Sequence, residues 1–183
     1  IPLLTHATNL PQLMDDATLK FRLHDTSNIK FNRGESGFFR VTYNASHLTH
    51  LGEQIHRGKL NPIDRLGILN DTFEAAKAGY VDTTMALALL ENFIDEDNAA
   101  VWDVIAGNLA NIRMVMDDDD LREAMKPYIQ RIVAKELKKL GWEVREKDSH
   151  FERLLRPTLL SMASAADEPT VVTHALKLFK AMH

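Results

Sequence analysis

A chain of 183 residues with 45% hydrophobic content can bury the core of one domain or two small ones, and its net charge of −4 carries no concentrated basic stripe of the kind that grips nucleic acid. The lack of cysteine excludes disulfides and thiolate metal sites, and no apolar run approaches the ~18 to 20 residues of a membrane span. The sequence opens on Ile1 without a basic-then-apolar leader, which reads as a processed or excised chain.

In chain order, residues 1–44 read as β structure. IPLLTHAT is a first candidate strand, TLKFRL alternates Leu19, Phe21 and Leu23 on one face, and NIKF and GFFRVTY follow. The two glycines of the turn from Asn32 to Gly37 suit a hairpin loop with positive φ, after which Phe39, Val41 and Tyr43 share a face opposite Arg40 and Thr42. Four short strands make a thin antiparallel sheet that needs a cover for its apolar side.

From Ala45 onward the period changes to that of helices, expected near 45–57, 62–78, 83–94, 98–115, 119–139, 149–165 and 169–182. The second is the best punctuated. Asn61 serves as N-cap, Pro62 sits at the first helical position, and Asp64 places a carboxylate at the positive end of the helix dipole. Ile63, Leu66, Asn70, Phe73 and Ala76 form its stripe, Gly79 ends it in a left-handed residue, and Asp82 caps the third helix with its Met85, Leu89 and Phe93. The fourth helix carries Trp102, Ile105, Leu109 and Ile112 on one stripe, and the fifth carries Leu121, Met125, Tyr128 and Ile132. Pro127 and Pro157 predict kinks or short breaks; Asp148 and Asp167 are cap signals. The fold class is therefore mainly α, α+β overall: a short antiparallel β segment followed by an array of helical hairpins that resembles an α-solenoid.

Three ordered segments resemble one family. The run NPIDRLGILNDTF…AKAGYVD…ALALLENF…VW, carried by Asp64, Arg65, Asn70, Asp71, Phe73, Gly79 and Trp102, resembles the opening of the C-terminal helical domain of gluzincin zinc aminopeptidases, the group of aminopeptidase N and the puromycin-sensitive aminopeptidase. Upstream, Ile29 to Asn44 resembles the strand pair that leads into those helices; downstream, Leu140 to Leu160 resembles the family's LGW…DSH…LLR segment with His150 in its middle. The resemblance implies that 1–44 is the end of a β-sandwich domain and 45–183 the first part of the helical domain. It also implies a zinc-bearing catalytic domain ahead of Ile1, because neither the H-E-x-x-H zinc helix nor the G-x-M-E-N clamp for a substrate amino terminus occurs here. Leu90, Glu91 and Asn92 match only the end of that clamp, without its glycine and methionine.

Other clusters read more plainly. His47, His50 and Glu53 recur at i, i+3 and i+6 on the first helix, where a third metal ligand drifts off the face, so solvated polar residues are the simpler reading. Asp117 to Asp120 lack the alternating ligands and glycine of a calcium loop and read as a capping turn, and Gly34 and Gly37 bracket a turn, not a phosphate cradle. Arg65 and Asp71 read as members of a polar network that fixes helix packing, with Arg65 alternatively facing a peptide cavity; His150 reads as capping or packing.

The expectation is thus a non-catalytic C-terminal portion of a zinc metallo-aminopeptidase, with no catalytic residue, cofactor or metal of its own. It would close and shape the peptide cavity of a catalytic domain on the same parent chain, in a cytoplasmic setting, away from nucleic acid and membrane. Apolar faces left at truncated ends would favour self-association. The alternative is an independent helical-repeat module that binds a protein or peptide, and a third is a metal hydrolase built on His47 and His50.

Overall fold

The computed structural model describes residues 15–20 and 29–182, and from Ala45 they form one helix after another. These are α1 (Ala45–His56), α2 (Pro62–Lys77), α3 (Thr83–Leu90), α4 (Ala99–Val115), α5 (Asp119–Leu140), α6 (His150–Ala165) and α7 (Pro169–Ala181). A 3₁₀ turn, Glu91–Phe93, follows α3, and another, Arg33–Glu35, precedes α1. The mainly α class holds among the described residues, and the helix positions follow the periodicity closely.

The helix starts are set by local chemistry. Asn44 accepts a hydrogen bond from His47 N at 2.9 Å, Asn61 from Asp64 N at 2.9 Å, and Asn98 from Ala100 N at 3.0 Å. At the end of α2, Gly79 takes φ 77 and Tyr80 N reaches back to Ala75 O at 2.9 Å, which closes the helix as expected. Three caps differ from the sequence reading. Asp82 occupies the N-cap of α3 without a side-chain bond. Ser149, not Asp148, caps α6 in a reciprocal box with Glu152, because Asp148 is drawn inward by arginines. Glu168, not Asp167, caps α7, since Asp167 adopts φ 54 and pairs with Lys126 at 2.6 Å.

No strand occurs among the described residues. IPLLTHAT lies outside them, as do Phe21 to Leu23 of TLKFRL and Asn28 of NIKF. In the described part the expected alternation survives in burial, with Tyr43 buried and Phe38 fully exposed, but backbone groups that a ladder would use go to side chains. Phe31 N donates to the Tyr43 hydroxyl at 3.0 Å and Val41 N to Asp71 Oδ2 at 2.9 Å.

Two compact units divide the chain, Ile1–Phe93 and Ile94–His183. In the first, α2 packs on α3 and on the Arg33–Glu35 turn, while α1 packs on α3 and the Glu91–Phe93 turn; Leu51, Ile68, Leu69, Phe73, Leu90 and Phe93 are fully buried among them. In the second, α6 packs on both α4 and α5, and α7 on α6. Trp102, Ile105 and Leu109 of α4 are buried, as the stripe predicts. On α5 the buried stripe is Met125, Ile129, Ile132, Val133 and Leu140; it passes beside Tyr128, and Leu121 in the first turn is 54% exposed. Both Pro127 and Pro157 sit inside uninterrupted helices, on exposed positions where water can serve the carbonyl one turn back that loses its partner.

Candidate functional site

Helix α2 anchors a buried polar centre in the first unit. Asp64 has no exposed surface, yet every oxygen is used: Oδ1 accepts from Gly34 N at 2.7 Å and Oδ2 from Asn61 Nδ2 at 2.6 Å, with Lys30 Nζ 3.5 Å from Oδ1. Lys30 is itself buried and also bonds the Glu35 carboxylate and the Asn32 carbonyl, the latter at 2.7 Å. Asn32, left-handed at φ 52, ties its own turn together by accepting from Gly37 N at 2.7 Å and donating to Gly37 O at 3.0 Å. Glu35 lies directly over Gly67 of α2, where any Cβ would collide with its carboxyl group. Gly67 is therefore a contact surface as much as a helix residue.

Two turns further along the helix, Asp71 repeats the arrangement. Its Oδ2 accepts from Val41 N at 2.9 Å, and its Oδ1 lies 3.4 Å from the Arg40 guanidinium. Burial pushes its carboxyl above the usual range, opposed by the Val41 N–H and the Arg40 charge. Gly34 and Val41, like Asp64 and Asp71, are seven positions apart. Seven helical residues rise only about 10 Å, whereas seven extended residues reach up to ~23 Å. The Arg33–Glu35 turn, with its positive φ at Asn32, Gly34 and Glu35, takes up the difference. The α2 carboxylates thus grip the 29–44 segment by its backbone.

Around this clamp, Tyr43 is buried and its phenol is pushed up by desolvation, while His47 Nε2 meets the Ile29 carbonyl at 2.6 Å. That bond engages one of the two ring nitrogens of His47; His50 and Glu53 are exposed, and Glu53 faces Arg57 at 3.5 Å. Among the described residues no group of three His, Cys, Asp or Glu side chains is placed to hold a metal ion. The Asp117 to Asp120 run is a capping turn: Asp118 accepts from Leu121 N at 3.0 Å and Asp119 pairs with Arg122 at 2.7 Å.

The residues singled out in the sequence fall in different places. Asp64, Arg65, Asn70 and Asp71 all lie on α2; Asp64 and Asp71 face the 29–44 segment, Asn70 is half-buried, and half-buried Arg65 donates to Leu60 O at 2.8 Å. Trp102 and His150 belong to the second unit, where Trp102 is fully buried and donates its indole N–H to Glu96 O at 2.9 Å, while His150 is exposed at the start of α6, its ring edge-on to Phe151. The partners Lys30, Glu35, Glu96 and Arg156 were not singled out. A lysine or glutamate in an alternating segment reads as a solvent-facing residue, so only the polar Asp64 and Asp71 on an apolar helix hinted that charges were needed nearby.

The second unit has its own polar centre in the DSH segment. Asp148, buried, accepts from Arg145 N at 2.8 Å and Arg145 Nε at 2.9 Å and is bonded by Arg156. Arg156 also donates to the carbonyls of Leu140 and Gly141, each at 3.3 Å, which locks the loop after α5 onto α6. The Arg145 N–H first, then the Arg156 and Arg145 side chains, hold the Asp148 carboxyl down at about 2. A depressed folded-state value stabilises the fold above the ordinary carboxylate range and loses that contribution as pH falls through about 2. Urea unfolding at a series of pH values should therefore show the parent chain losing stability relative to Asp148→Asn as the pH is lowered from about 4 to about 2. A constant difference across that window would contradict the assignment.

The profile of the ERAP1-like C-terminal domain matches residues 28–183. "Aminopeptidase 2" of Candida albicans is 29% identical over 152 residues, covering 82% of this chain and 16% of that protein. "Alanine/arginine aminopeptidase" of Saccharomyces cerevisiae is 27% identical over 170 residues, covering 92% and 20%. "Glutamyl aminopeptidase" of Bitis rhinoceros is 31% identical over 161 residues, covering 84% and 16%. The chain thus spans from 16% to 20% of the length of these relatives.

Proposed function

Because the chain belongs to the ERAP1-like C-terminal domain family, we propose that it is the non-catalytic C-terminal portion of a zinc metallo-aminopeptidase. The observation that carries this reading is the match over residues 28–183, which takes in both polar centres and every described helix. In this reading, 1–44 completes a β-sandwich domain and 45–183 begins the helical domain, whose stacked hairpins close over a catalytic domain of the same polypeptide and wall its peptide cavity. Zinc, the general base and the clamp for the peptide's amino terminus belong to that domain, and a cytoplasmic setting goes with it.

The clamp on α2 supports a mechanical role. A carboxylate pair that holds the preceding segment by its backbone fixes how that segment enters the helical array, and a wall must be fixed to shape a cavity. Arg65 is the candidate for contact with the peptide, since a guanidinium offers a planar fork to a carboxylate. Apolar Leu176, Leu178 and Phe179, exposed on α7, and Met182 just after it favour self-association of the isolated chain.

The reading is tested by activity. The isolated 183-residue chain, supplied with zinc, should release no amino acid from aminoacyl-coumarin amides, while the natural polypeptide should. Release by the isolated chain would overturn the proposal. In the natural enzyme, Arg65→Ala should raise KM about tenfold for peptides with a free terminal carboxylate and leave their amidated forms unchanged, the loss of one charge-assisted pair. Equal effects on both would remove Arg65 from the cavity.

A further inference from the structure

The second unit contains a groove of about 670 Å³ lined by α5, α6 and α7, which meets the Asp148 polar centre only at Gly141. Its apolar lining includes Leu137, Leu160 and Val171, and two cations from α5, Arg131 and Lys138, line it seven positions apart, so both stand on the same side of that helix. Trp142 and His174 also line it, their rings 4.3 Å apart and tilted by 34°. The stack fixes the imidazole. His174 Nε2 is shut off from solvent and has no hydrogen-bond partner, a state that polar atoms seldom occupy in a settled fold.

Two acidic side chains lie near Lys138 and His174. Glu168 lines the groove, but its carboxylate caps α7, accepting from Val171 N at 2.8 Å and from the Thr170 hydroxyl at 2.6 Å. Glu143, 80% exposed on its side chain, brings a carboxylate oxygen to 4.0 Å from His174 Nε2, beyond hydrogen-bond length. A carboxylate is thus the group that already approaches that nitrogen, and the exposed Glu143 side chain has to swing aside for a ligand to reach it.

We propose that this groove binds a carboxylate carried on a flat apolar body, with the carboxylate at His174 Nε2 and Lys138 and the apolar part against Trp142, Leu137 and Leu160. An imidazole N–H supplies a directed donor, the lysine a point charge, and the indole face a stacking surface. The apolar lining gives the affinity of a small ligand, and the two donors select the anion over its neutral counterpart.

Phenylacetate and its uncharged isostere phenylacetamide test the site on the 183-residue chain, with the Trp142 indole and His174 imidazole signals followed by NMR. Phenylacetate should shift both signals saturably with a Kd on the order of 1 mM, as its size allows. Phenylacetamide should bind about tenfold more weakly, and His174→Gln and Lys138→Gln should each weaken phenylacetate about fivefold to tenfold. Both variants alter partly exposed positions, so unchanged thermal unfolding confirms that they fold. No saturable shift, equal affinity for acid and amide, or indifference to both substitutions would each overturn the proposal.

Discussion

Replacing Asp64 with alanine is expected to destabilise the chain by about 3–5 kcal/mol, the cost of removing one partner from a buried charge cluster. The side chain is fully buried, and its loss leaves the Gly34 N–H without its acceptor and takes from the buried Lys30 ammonium one of its two carboxylates. Glu35 still faces Lys30, which keeps the penalty below that of an isolated buried charge. Asp64 also lies in the first turn of α2, where the helix dipole adds ~0.5 kcal/mol in its favour. Asp64→Asn preserves an acceptor for Gly34 and should cost less, about 1–3 kcal/mol. If the cluster acts as a unit, combining Asp64→Ala with Lys30→Met should cost less than the sum of the two, because the buried charge that Asp64 helps to neutralise is then gone. Urea unfolding followed by circular dichroism reads all of these; a loss below about 1 kcal/mol for Asp64→Ala would refute the clamp as a stabilising element.

Trp102→Ala should cost a comparable 3–5 kcal/mol, roughly the usual range for deleting a buried aromatic, and it acts in the second unit. Trp102 is fully buried on α4 beside Ile105 and Leu109, so the cavity has little room to collapse. Its indole N–H also answers the Glu96 carbonyl at 2.9 Å, just ahead of the α4 N-cap. Trp102→Phe separates these contributions: the ring fills much of the space but leaves that carbonyl unanswered, for an expected loss of about 1–3 kcal/mol. Thermal unfolding of the two variants checks the order. If Trp102→Phe proved as costly as Trp102→Ala, hydrogen bonding would outweigh packing at this position.

What was legible in the sequence was local. Asn61 with Pro62 and Gly79 declare the two ends of α2 through bonds made within a few residues, and the helix lies where those signals put it. The alternation from Phe39 to Tyr43 was legible too, but it reports which side is buried and not what the backbone bonds to; here the bonds go to Asp71 and to Tyr43 itself. Long-range partners were not legible. Lys30 is buried because Asp64 and Glu35 meet it, and nothing local to Lys30 announces a partner on α2. Asp148 looked like a cap for the same reason: its neighbour Ser149 does the capping, and the arginine eight positions further on that turns Asp148 inward is recognised only in three dimensions. The family came from residue identities in order, and part of that order coincides with this wiring, since Asp64 and Asp71 hold the upstream matched segment from Ile29 to Asn44.

The size of the natural polypeptide tests the central claim most directly. An antibody raised against the 183-residue chain should detect, in the source cells, a product several times larger than 20.7 kDa whose intact mass and sequence include an H-E-x-x-H helix ahead of Ile1. A natural product of about 20.7 kDa would contradict the account and leave an independent helical module in its place.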